Sequence, residues 1–179
     1  MGGLAGGRSS TPMITPNNVT RLLDSRGIKY AAFDLPAEKL SAAETAQLLH
    51  VSADLVFKTI VVKRDGPRRP LLALIPGNAT LDLKLLAAAV GEKKIYLPTE
   101  REAETMTGLQ AGGISPLALL NKGFQIVLDA SARDHSEIHV SGGRRGLKVR
   151  LPVADLLDLT HASMHAVSRP TAEDSSRSA

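Results

Sequence analysis

The sequence predicts an α+β domain built around a mixed, curved sheet. Three observations lead there. Two apolar, β-branched runs, VFKTIVVK at 56–63 and LLALIP at 71–76, flank the turn-forming RDGPRRP and read as a strand and its hairpin partner. Capped segments of helical pattern begin at Ser41 and at Leu81, on either side of that hairpin. Helices and strands then mix without a regular βαβ repeat, which is the α+β pattern.

Each element has its own signal. Thr15 followed by Pro16 predicts a helix over 16–26 that Gly27 ends. Residues 28–35 look extended. Ser41-Ala-Ala-Glu44 is a capping box, and Ala42, Thr45, Ala46, Leu48 and Leu49 supply the buried side of the helix it opens. A short helix or turn at 52–55 leads into the hairpin. LDLKLLAAAV at 81–90 is a helix closed by Gly91. A short strand at 94–97, a helical turn at 100–106 and a Gly-rich loop at 108–116 follow. Strands are expected at 124–129, 137–141 and 147–151, and a last helix at about 152–162. Residues 1–14 and 166–179 read as disordered tails, too polar and Gly/Ser-rich to bury a core, leaving one domain over 15–165.

Composition narrows the function. The 179 residues contain no Cys, which excludes disulfides, thiolate metal sites and a cysteine nucleophile supplied by the protein. The aromatics are Tyr30, Phe33, Phe57, Tyr96 and Phe124, too few for a binder built mainly on base-stacking platforms. No apolar run approaches the roughly 20 residues that span a bilayer. The first residues lack the apolar stretch of a secretory signal, so a soluble, cytoplasmic protein is expected. The charge is uneven: residues 58–150 hold fifteen Lys and Arg against nine Asp and Glu, a net of +6. A basic middle segment suits a polyanionic partner.

Candidate chemistry falls in that segment. Lys58 sits inside an apolar strand, where it either snorkels to solvent or faces a pocket that holds an anion. Thr59 points to the opposite face of a regular strand. Gly112-Gly113-Ile114-Ser115-Pro116 is either a plain tight turn or a loop whose bare backbone approaches a ligand. Ser141-Gly142-Gly143-Arg144-Arg145 is either a hairpin turn with solvated arginines or a phosphate cradle of N–H groups and guanidinium forks. His161 and His165 have the spacing of a helical metal pair, but no carboxylate motif accompanies them, and no metal or other cofactor is expected. Gly-x-Ser-x-Gly and P-loop patterns are absent, which disfavours a hydrolase triad and a nucleotide-triphosphate enzyme.

Taken together, VFKTIVV, LDLKLLAAAVGEKKI, TGLQAGGISPLAL and EIHVSGGRRGLKV resemble, in order and spacing, the YbaK/EbsC family of aminoacyl-tRNA deacylases. These are relatives of the editing domain of bacterial prolyl-tRNA synthetase. The resemblance covers residues 16–162. It implies a barrel-like mixed sheet flanked by helices, and hydrolysis of the ester on a mischarged tRNA, typically tRNA(Pro) carrying Cys or Ala. It places the functional lysine on Lys58 and its polar neighbour on Thr59. The ester-positioning loop falls on Gly112 to Pro116, with Gly112 and Gly113 holding the ester carbonyl and Ile114, Ser115 and Pro116 beside the substrate. The Ser-Gly-Gly turn falls on Ser141, Gly142 and Gly143. Arg144 and Arg145, with Arg68, Arg69 and Lys148, are acceptor-stem candidates by charge. The implied partners are aminoacyl-tRNA and prolyl-tRNA synthetase, with no membrane. Two departures stand out: pocket aromatics of the Cys-specific members fall near Leu35 and Ser41, and an acidic residue is replaced by Lys148. Specificity for Cys is therefore not carried over.

Two rival readings remain at this level. A non-catalytic tRNA- or synthetase-binding module would bind the same tRNA without cleaving it. An esterase for small acyl esters would show activity independent of the tRNA body and insensitive to salt.

Overall fold

In the computed structural model, residues 14–171 are described, so residues 1–13 of the expected 1–14 tail and 172–179 of the expected 166–179 tail lie outside the described residues. Helix α1 (Asn18–Ser25) starts later than expected, because Asn17 rather than Thr15 caps it. The Asn17 side-chain oxygen accepts from Thr20 N at 3.0 Å while Thr20 Oγ1 accepts from Asn17 N at 2.9 Å. The same amide donates to the Gly142 carbonyl at 2.7 Å, so the cap also ties α1 to the Ser-Gly-Gly turn.

Strand β1 (Ala31–Asp34) leads to α2 (Ala42–Leu49), where Ser41 Oγ accepts from Glu44 N at 3.1 Å as its sequence predicts. Thr45 and Ala46 are buried, whereas Leu48 is exposed, so the inward face of α2 is narrower than its apolar pattern suggests. The hairpin forms as expected from β2 (Phe57–Arg64) and β3 (Leu71–Pro76). Next come β4 (Ala79–Leu81) and α3 (Leu83–Val90). Asp82 takes the cap of α3, accepting from Lys84 N and Leu85 N, and leaves Leu81 to the preceding strand. After β5 (Ile95–Tyr96), the expected single turn is a full helix, α4 (Glu100–Thr107). Strands β6 (Gln125–Asp129), β7 (Glu137–Ser141) and β8 (Leu147–Pro152) precede α5 (Val153–Thr160), β9 (Ser163–His165) and β10 (Ser168–Pro170).

The strands pair as three ladders rather than one continuous sheet. One runs β5-β2-β3-β6-β9, a second β1-β8-β7, and β4 pairs with β10. The first is mixed, with β3–β6 and β6–β9 parallel and the others antiparallel. A single parallel bridge, Val56 to His139, joins the start of β2 to β7. Strand β10 corrects the expected C-terminal tail: residues 168–170 are held antiparallel to 79–81. His161 is the left-handed cap of α5 and His165 lies in β9, so the two never share a helical face. Among the described residues, no group of three His, Cys, Asp or Glu could hold a metal ion, and no helix is long and apolar enough to cross a membrane.

Strand β3 is buried along its whole length because both faces of its sheet are covered. Phe57, Val61, Leu72, Leu74, Ile126 and Leu128 face the three-stranded sheet, α1 and α5. Val62, Leu71, Ala73, Ile75 and Val127 face α3, through Leu86 and Ala87. At roughly 1.5–3 kcal/mol per fully buried large aliphatic side chain, this two-sided core dominates the stability.

His139 in β7 is almost fully buried and its Nδ1 has no hydrogen-bond partner among the described residues. Burial pushes its pKa down to about 4; Arg150 adds to the shift and Glu137 opposes it. With the folded pKa below the ordinary 6.5, the unfolded chain takes up this proton first. Stability is full above that value and falls as pH drops toward about 4. The expected loss is roughly 2–3 kcal/mol, read as a pH-dependent denaturation midpoint that His139→Gln flattens. Equal pH slopes in the two proteins would assign the effect to another group.

Candidate active site

Five chain segments meet where β2 leaves the bridge to β7. Two residues beyond Val56 and His139 come Lys58 and Ser141, and both line a cavity of about 220 Å³. The loop after α4 contributes Ala111, Gly112 and Ile114, and the start of α2 contributes Ala42 and Thr45. Lys148 lines the same cavity from β8, where the ladders set it between Ser141 of β7 and Phe33 of β1.

The lining is cationic. Lys39, Lys58 and Lys148 line it, and among the described residues no Asp or Glu does. Lys39, at the exposed mouth, is paired with Glu100. The side chains of Lys58 and Lys148 have no hydrogen bond or ion pair among the described residues, and burial lowers the pKa of both. Lys58 is half-buried and lines the cavity, with no side-chain partner among the described residues to offset its desolvation. The hydroxyls of Thr45 and Thr59 are also buried, without a hydrogen-bond partner among the described residues. A hollow lined by unsatisfied donors is built to receive acceptor atoms.

The Gly-rich loop is held from both sides. Ala111 N donates to Glu104 Oε2 at 3.0 Å, and Arg145 Nε donates to the Ala111 carbonyl at 2.7 Å. Gly112, at φ +88°, has no hydrogen-bond partner for its N–H among the described residues. The Gly113 N–H is already bonded to the Gln110 carbonyl at 2.8 Å. A Cβ on Gly113 would lie 2.8 Å from Arg144 C and Arg145 N. Gly113 therefore serves as the point where the two glycine loops touch backbone to backbone.

The expected site residues thus divide. Lys58, Thr59, Gly112, Ile114 and Ser141 line one cavity. Gly113, Ser115, Pro116, Gly142 and Gly143 do not line it but build its frame. Ser115 is fully buried and its Oγ caps the turn at Pro116–Ala118 by accepting from Leu117 N. Ser141 Oγ accepts from Gly143 N at 3.4 Å, and a Cβ on Gly142 would strike Leu147. Both arginines have partners within the chain: Arg145 Nε donates to the Ala111 carbonyl, and Arg144 forms an exposed surface pair with Asp34 at 3.1 Å. The sequence reading missed Thr45 as a cavity residue, counting it only toward the buried side of α2, and it weighed Lys148 as a stem contact and as a basic residue at an acidic family position, without naming it as cavity lining.

Comparisons with known proteins identify the family. The family described as "Aminoacyl-tRNA editing domain" matches residues 37–159, a span that contains every cavity residue named above. A curated relative from Enterococcus faecalis (strain ATCC 700802 / V583), "Putative Cys-tRNA(Pro)/Cys-tRNA(Cys) deacylase EbsC", is 33% identical over 153 residues, covering 84% of this chain and 92% of the relative. A "Proline--tRNA ligase" from Nitratidesulfovibrio vulgaris (strain DP4) is 33% identical over 76 residues, 42% of this chain and 13% of the ligase. A crystal structure described as that of "a putative trans-editing enzyme for prolyl tRNA synthetase" superposes with a TM-score of 0.73 at 25% identity, covering 87% of this chain and 99% of the other. By family match, by identity along most of both chains and by fold, this chain belongs to the aminoacyl-tRNA editing domain family.

Proposed function

We propose that this protein is a trans-editing hydrolase that removes a wrongly attached amino acid from tRNA, with tRNA(Pro) carrying Cys, Ala or another small residue as the substrate class. The observation that carries the reading is Lys58: an unpaired ammonium facing a small cavity beside a loop with a free glycine N–H, in a chain of the editing family.

An aminoacyl ester is already activated, so a rate gain well below the 10⁶–10¹⁷-fold typical of enzymes suffices for proofreading. A site without a His/Asp triad or a protein thiol is adequate for that task. Water adds to the ester carbonyl carbon, the bond to the ribose oxygen breaks, and that oxygen leaves with a proton as the free hydroxyl. Where the substrate carries a thiol, that thiol is an alternative nucleophile. Lys58 holds the anionic or polar end of the substrate, and the Gly112 N–H meets the carbonyl oxygen as negative charge develops on it. The hydroxyls of Thr59 and Thr45 are placed to accept hydrogen bonds from the amino acid or donate to it. The five- and three-stranded sheets form the two walls of a barrel-like wrap around this cleft, a reading supported by the bridge from Val56 to His139. The protein works in the cytoplasm, where it encounters aminoacyl-tRNA and prolyl-tRNA synthetase.

The test is a panel of Ala-, Cys-, Ser-, Thr- and Pro-charged tRNA(Pro) incubated with purified protein. Faster loss of one or more non-cognate amino acids than of proline supports the reading. Binding without cleavage of any member would make the protein a binding module instead.

A further inference from the structure

Lys148 is not used by the account above, and it shares the cavity with Lys58. We propose that the two lysines form a two-ammonium clamp for the phosphodiester that joins the terminal nucleotide of the acceptor end to the one before it. The inference deepens the deacylase reading and rests on it.

The placement argues for an anion. Lys58 comes from β2 and Lys148 from β8, strands of different sheets, and both ammonium-bearing side chains line one hollow that no carboxylate lines. Lys148 is fixed on both sides by its ladders, opposite Ser141 and opposite Phe33. The third cavity lysine, Lys39, is neutralised by Glu100 at the mouth, so the uncompensated charge is concentrated inside. Two partly desolvated ammonium groups lining one small cavity, neither with a side-chain partner among the described residues, carry a desolvation cost that a shared anion recovers. Burial lowers both lysine pKa values, which marks the same cost.

The choice of anion follows from the substrate. The amino acid end of an aminoacyl ester carries an amine, which a second ammonium repels when it is protonated. The phosphodiester is present on every acceptor end whatever residue is attached. The neutral donors Thr45 and Thr59 then remain for the acyl group, and the two cations for the nucleotide. Lys148 is on this account a substrate-binding residue that reads the tRNA rather than the amino acid.

Calorimetric titration of adenosine 5′-monophosphate, adenosine and inorganic phosphate into wild type, Lys148→Met and Lys148→Arg tests the clamp. The expected result is that adenosine binds at least about 10-fold more weakly than the monophosphate to wild type, the loss expected for one charge-assisted contact. Lys148→Met should weaken the monophosphate by about 10-fold and leave adenosine unchanged, and Lys148→Arg should restore most of the difference. Equal affinity of wild type and Lys148→Met for the monophosphate would overturn the clamp. Inorganic phosphate binding as tightly as the monophosphate would overturn its assignment to the terminal nucleotide. A paired hydrolysis arm compares 2′(3′)-O-alanyl-adenosine with its 5′-phosphorylated form, and the Lys148→Met defect should appear only on the phosphorylated ester. An equal defect on both would place Lys148 at the acyl group and sink the proposal. Monophosphate binding that depends on Lys148, in a protein that cleaves no aminoacyl ester, would leave the clamp standing and remove the deacylase reading alone. Thermal midpoints of both variants establish that they fold.

Discussion

Lys58→Ala should lower deacylation of mischarged tRNA by at least about 100-fold and leave the protein as stable as wild type. The two halves of this expectation have one cause. The Lys58 side chain makes no hydrogen bond or ion pair among the described residues, so truncating it breaks no such contact in the folded chain. Its strand is held by β3 on one side and β5 on the other, with Lys58 itself opposite Ile75. A half-desolvated ammonium is a cost to folding, and alanine relieves it. The same cost is recovered only when substrate supplies the missing anion or carbonyl, which is how a destabilising group becomes a catalytic one. Single-turnover deacylation rates and thermal midpoints of the two proteins are the measurements. Full activity in a folded Lys58→Ala protein would remove Lys58 from the mechanism. Burial also lowers the Lys58 pKa, so activity that depends on its charge declines at a less alkaline pH than for an exposed lysine.

Much of the architecture was legible because local signals and tertiary pairing agreed. The β2–β3 hairpin had apolar runs on both sides of a Gly-Pro turn, and the Ser41 cap closes on Glu44 as its spacing requires. What could not be read were elements whose stability comes from distant partners. Strands β4, β9 and β10 are each three residues long and exist because 79–81 meets 168–170 and 163–165 meets 127–129. No local pattern encodes such a pairing. The site shows the same division. Lys58 is conspicuous as a charge in an apolar strand, and Lys148 stands out as a base at an acidic family position, but along β8 it alternates with Arg150 like a solvated charge. Only the two ladders reveal that it lies between Phe33 and Ser141 over the cavity. Arg144 and Arg145 drew attention as guanidinium forks for phosphate, yet one pairs with Asp34 and the other holds Ala111. Their charge was visible in sequence, and their engagement within the fold was not.

The second large effect is expected at Gly113, through the backbone rather than through chemistry. Its φ lies outside the left-handed region, so alanine there is not strained in itself. The obstacle is space: the added Cβ would lie 2.8 Å from Arg144 C and Arg145 N and 2.9 Å from Arg144 Cα, all backbone atoms of the neighbouring turn. Neither loop yields easily. The 111–114 segment is held by Glu104 and Arg145 through Ala111, and the 142–146 turn by Asn17 through Gly142. Gly113→Ala should therefore destabilise the fold by about 1–3 kcal/mol, the usual cost of overpacking. It should also reduce activity by roughly 100-fold at temperatures where the variant is folded, because a shift of about 1 Å at Gly112 and Ile114 misplaces the ester relative to Lys58. Gly112→Ala is the informative contrast. Its φ of +88° penalises alanine, but the nearest atom to a Cβ is Arg145 Cγ at 3.5 Å, so the loop and turn stay in register. Denaturation midpoints and deacylation rates for both variants separate the two causes. Wild-type stability and rate in Gly113→Ala would show that the contact between the two glycine loops does not set the geometry of the site.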